Sequence, residues 1–139
     1  MMEGRDLFTC IRSSQGNYDA SAHLAEMIAL LGPPPQTLID RETRWSEVRW
    51  CHAVPNAEGK LCHNAREYYG GPFFDSKGEF TRKELIPTNV KLEDTVLSLE
   101  REDKRLFLDF VKTMLQWLPE DRKTAKELLE DPWLQEKST

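Results

Sequence analysis

Four side chains with an affinity for divalent metals fall within 13 residues: Cys51, His52, Cys62 and His63. Thiolate and imidazole are the ligands of structural zinc, which takes them from pairs spaced two to four residues apart. Here each Cys is followed directly by its His. Adjacent side chains point in different directions, so the spacing is wrong for chelation, and ordinary loop residues with no bound metal are expected. A small zinc-stabilised domain is accordingly the weakest functional reading. Gly70-Gly71 is an isolated pair and not a phosphate-cradling G-x-G-x-x-G loop, and no G-x-S-x-G, H-E-x-x-H or P-loop occurs. The 24 carboxylates could supply acid and base, but pairs such as Lys126-Glu127 and Glu130-Asp131 suit solvated helix faces. His23, at the start of an apolar helical stripe, reads as a structural or cap-proximal residue. Spacing alone yields no catalytic, cofactor-binding or metal site.

The elements that would position any such group are mostly helical. Leu24, Met27, Ile28 and Leu31 recur at i, i+3, i+4 and i+7, which predicts an amphipathic helix over residues 21–31 whose stripe faces a core. Gly32 suits the left-handed position after its last turn, and Pro33, Pro34 and Pro35 forbid continuation. Residues 40–66 have no clean period. Residues 70–80 place Phe73, Phe74 and Phe80 around an Asp75-Ser76-Lys77-Gly78 turn, read as an irregular loop with buried aromatic anchors or a short hairpin. A second helix is expected from about Leu99 to Trp117, capped by Ser98, with Phe107, Val111, Met114 and Leu118 as its apolar stripe. A third begins at Thr124, whose spacing to Glu127 is that of a capping box, and Pro132 is expected to close it.

The bulk properties bound the function. The sequence has 139 residues, the size of one domain, and a net charge of −5, which argues against a nucleic-acid partner. Its longest apolar stretch, around Met27 to Leu31, is far shorter than the ~20 residues a membrane span needs. Glu3, Arg5 and Asp6 interrupt any secretory leader, and three widely spaced cysteines read as reduced thiols. The expected location is intracellular, in cytoplasm or nucleus.

Residues 115–134 (LQWLPEDRKTAKELLEDPWL) change the reading. A helix end, a Pro-containing turn, an Arg, then T-A-x-E-x-L and a Pro-Trp-Leu close resemble the last subdomain of eukaryotic protein kinases. Upstream, residues 23–35 (HLAEMIALLGPPP) look like kinase helix G, residues 106–115 (LFLDFVKTML) like helix H, and residues 6–9 with Glu3-Gly4 like the end of helix F. The wording, including GGPFFDSKGEF, is most similar to fungal SR-protein-kinase-like serine/threonine kinases. The resemblance covers residues 1–35 and 68–135, with 41–66 matched least.

The resemblance implies a mainly α fold: the C-terminal part of the helical lobe, over residues 1–135, with a long irregular loop and a tail at 136–139. It implies a family activity of ATP- and Mg-dependent phosphorylation of Ser and Thr in proteins. Gly4-Arg5-Asp6-Leu7 imitates part of H-R-D-L-x-x-x-N, but Gly4 replaces the His and Ile11 the metal-binding Asn. Leu118-Pro119-Glu120 imitates A-P-E, yet follows a helix. The glycine-rich loop, ATP-anchoring Lys and D-F-G have no counterpart, so this chain alone is expected to be inactive and to hold no cofactor. It then reads as a stretch of a longer kinase, with Met1 and Met2 internal to helix F, whose partner is a protein or the missing kinase segment. The alternative is a non-catalytic interaction module.

Arg122 matches the kinase arginine that pairs with the A-P-E glutamate. Without that partner it is expected to be exposed or repaired by Glu120 or Asp121. The two helix G positions that are acidic in SR-protein kinases are Ala22 and Ala29 here, and Glu26 is out of their register. The stripes at Phe107–Leu118 and Phe73–Phe80 are expected to leave apolar surface exposed.

Overall fold

A computed structural model describes residue 4 and residues 6–136. The chain is mainly helical, with six α-helices, one two-stranded hairpin and three single 3-10 turns among the described residues. Its contacts group into two compact units: Phe8–Thr88, and Asn89 onward together with the described residues before Phe8.

In the first unit, α1 (Ala20–Leu31) starts because the Asp19 carboxylate accepts from the Ala22 N–H at 3.0 Å, satisfying an otherwise orphaned donor. It stops at Gly32 (φ 77°), whose N–H still reaches the Ile28 carbonyl. α1 thus ends where the sequence places its end, and Pro33, Pro34 and Pro35 keep it from continuing. Pro35, in extended geometry, presents its carbonyl to Leu38 and Ile39 and opens α2 (Gln36–Ser46). The helix was hidden because it buries only Ile39 and Ser46, too few positions to write an apolar period.

After α2, the N–H of Trp50 donates to the His63 carbonyl at 2.7 Å, and β1 (Val54–Pro55) pairs antiparallel with β2 (Leu61–Cys62). Asn56 shapes the tip by accepting from the Glu58 and Lys60 N–H groups. Asn64 caps α3 (Ala65–Tyr69), which Gly70 ends in the left-handed conformation. Beyond it the expected aromatic turn is present: Phe74 and Phe80 form an isolated bridge, and Asp75 accepts from the N–H groups of Lys77 and Glu79. Phe80 is buried, while Phe73 and Phe74 are half-buried. Ala25, Ile28, Ile39, Cys62 and Phe80 are the buried apolar residues of this unit, and α1 lies against the single turn Lys83–Leu85.

In the second unit, α4 (Arg101–Met114) begins after Glu100, two residues later than the Ser98 cap would place it. It also ends early. The returning chain takes its last carbonyls: the Lys123 N–H donates to Thr113 O, and Gln116 Nε2 folds back onto Lys112 O. Leu108, not a member of the predicted stripe, is the buried residue of α4, and Phe107, Val111, Met114 and Leu118 are half-buried. Thr124 and Glu127 form the predicted capping box of α5 (Ala125–Leu129). Pro132 opens α6 (Pro132–Glu136) rather than merely closing α5, because a first helical residue needs no N–H and Asp131 accepts from Trp133 N. α6 packs on α4, with Phe107 and Trp133 rings 5.2 Å apart, over a core of Leu92, Val96, Leu108 and Trp133.

Residues 6–9 are not helical, contrary to the helix F expectation, and Glu3 and residues 137–139 of the proposed tail lie outside the described residues. The backbone donors of Thr9 and Cys10 go instead to the Glu26 carboxylate.

Candidate functional site

The Cys-His pairs do not converge. Cys62 is fully buried and its Sγ donates to the Lys60 carbonyl at 3.3 Å, whereas Cys51 is exposed. Among the described residues no three His, Cys, Asp or Glu side chains group as metal ligands. Gly70 serves as the end of α3, and the Gly71 Cα faces the Arg66 side chain. Of the Gly4-Arg5-Asp6-Leu7 run, Gly4 and Asp6 are exposed and Arg5 lies outside the described residues. Pro119 and Glu120 sit in a single 3-10 turn.

Arg122 is exposed, as expected, and its Nε donates to the Gln116 carbonyl at 3.0 Å. It therefore ties the segment after α4 to the start of α5. Ala22 and Ala29 are half-buried on α1. Glu26, also on α1, turns inward. It is 9% exposed, and its Oε1 accepts from Thr9 N (3.2 Å), Cys10 N (3.0 Å) and Thr9 Oγ1 (3.3 Å). A carboxylate so engaged is a clamp on residues 9–10, unavailable to a peptide.

A cleft of ≈ 730 Å³ opens in the first unit. Three elements build it: the turn at 13–17, held by Ser13 N to Asn17 O; the hairpin tip at 56–60; and α3. Asp19, Glu58 and Glu67 bring carboxylates to its wall, opposed by Lys60, and Tyr18, Tyr68 and Tyr69 bring rings. Tyr18 and Tyr69 meet edge-to-face at 6.5 Å, and Tyr68 and Tyr69 at 4.9 Å. The Tyr18 hydroxyl lies 3.0 Å from His23 Nδ1, and the Phe8 ring edges onto His23 at 4.7 Å. His23 is thus held between the Tyr18 hydroxyl and the Phe8 ring.

Partial burial, then the neighbouring Tyr69 and Asp19, push the Tyr18 hydroxyl above its ordinary value. The hydroxyl therefore stays neutral near neutral pH. Glu67 is committed to the His63 N–H at 2.7 Å and Asp19 to the α1 cap. The cleft's lining supplies carboxylates, one ammonium and three phenol rings, groups able to bind a polar ligand. Residue spacing did not reveal it, because its walls come from three separated segments. The adjacent Tyr68-Tyr69 and the Asn56-Ala57-Glu58-Gly59 turn were its visible traces.

Among the described residues no helix is long and apolar enough to cross a membrane. No protein-family model matches the chain. A serine/threonine protein kinase of Aspergillus fumigatus, found alike in strains CBS 144.89 and Af293, is 34% identical over 123 residues. The aligned part is 88% of this chain and 25% of that kinase. Dual specificity tyrosine-phosphorylation-regulated kinase 3 of Rattus norvegicus is 30% identical over 123 residues, 84% of this chain and 19% of the relative. The chain therefore spans a quarter or less of the length of these relatives. Together with the motif order at 23–35, 106–115 and 115–134, these alignments make the chain similar, over most of its length, to one segment of eukaryotic protein kinases.

Proposed function

We propose that residues 1–135 form the helix G to helix I part of a serine/threonine kinase C-lobe of the SR-protein-kinase-like type, and that these residues contribute structure rather than phosphoryl transfer. The observation that carries this reading is the 34% identity over 88% of the chain, taken with the lack of a glycine-rich loop, H-R-D-x-x-x-x-N or D-F-G in the sequence. Phosphoryl transfer rests on positioning and charge stabilisation by those parts. ATP and Mg would be held by kinase segments other than this one, in an intracellular protein.

Titration of the 139-residue chain with Mg·ATP by calorimetry is expected to show no heat of binding. Transcript sequence upstream of the Met1 codon is expected to carry in-frame H-R-D and D-F-G. Saturable Mg·ATP binding, or an upstream stop codon without those motifs, would overturn the reading.

A second reading, a non-catalytic interaction module derived from a kinase C-lobe, is favoured by one observation. Four exposed large apolar residues, Trp45, Val48, Val54 and Leu61, concentrate in the segment that resembles the family least.

A further inference from the structure

We draw no further inference here: the strongest candidate, the tyrosine-lined cleft between the turn at 13–17, the hairpin tip at 56–60 and α3, sets the Lys60 ammonium against the carboxylates of Asp19, Glu58 and Glu67, so neither its charge nor anything else in the structure shows what it would hold.

Discussion

Removing the Glu26 carboxylate should release residues 9–10 from α1. Two backbone N–H groups and one hydroxyl converge on a single oxygen, Oε1, at 3.0–3.3 Å. A donor left unpaired inside a protein costs about 1–3 kcal/mol. Thr9 and Cys10 are exposed, so water reaches the freed donors and each loss falls near the lower bound. Two backbone donors then give about 2 kcal/mol for Glu26→Ala. Glu26→Gln behaves differently. Its amide oxygen keeps the acceptor, and the buried Oε2, which has no protein hydrogen-bond partner, gives way to a neutral group. That change should stay within about 1 kcal/mol of the parent, since the oxygen that the three donors share is kept. Amide hydrogen exchange reads the effect where it occurs. Protection at Thr9 and Cys10 should fall about 30-fold in Glu26→Ala, the equivalent of 2 kcal/mol, and little in Glu26→Gln. Unchanged protection in the alanine variant, or an equal loss in both, would refute the clamp.

The remaining predictions concern the turns and caps. Hydrogen bonds from the Glu79 and Lys77 N–H groups hold Asp75 below the usual carboxylate range. Its contribution is therefore present above the ordinary value and lost only as pH falls through the lowered one. Exchange at Lys77 and Glu79 should keep its protection at pH 4, lose it on further acidification, and become insensitive to that acidification in Asp75→Asn. Thr124→Ala removes one half of the capping box and should cost about 1 kcal/mol of local stability, seen as faster exchange at Glu127. Arg122 is exposed and bonded to one carbonyl, so Arg122→Leu should change the urea midpoint by less than the equivalent of about 1 kcal/mol. A larger loss would reveal a buried role for the guanidinium.

Elements written by local rules were legible in the sequence. The bounds of α1, the Thr124–Glu127 box and the Asp75 turn each need only neighbouring residues, and each stands where expected. Of the predicted α1 stripe, however, only Ile28 is buried, beside Ala25 and Glu26, while Leu24, Met27 and Leu31 are half-buried. What depended on distant partners was not. α4 ends at Met114 because the chain returning from Pro119 takes its final carbonyls, a contact with no local signature. The buried face of α4 falls at Leu108 rather than on the predicted stripe, since a helix apolar on several sides leaves its rotation to whatever it packs against. Glu26 read as a misplaced docking acid, and its inward role became visible only once residues 9–10 lay beside it. The cleft escaped for the same reason, one wall coming from residues 13–20 and the other two from residues 56–70.

The Trp50–His63 hydrogen bond brings the two ends of a twelve-residue excursion together, as a drawstring closes a bag. Closing a loop costs only slowly more as it lengthens, so the tip between Val54 and Cys62 is free to grow or shrink between lineages without disturbing what lies outside the knot. Two features limit that freedom: the paired backbone at Trp50 and His63, and Cys62, whose side chain plugs the interior completely. Related chains should accordingly tolerate insertions at residues 56–60 and few on either side. The same geometry makes the tip a natural place to graft a foreign peptide or a reporter.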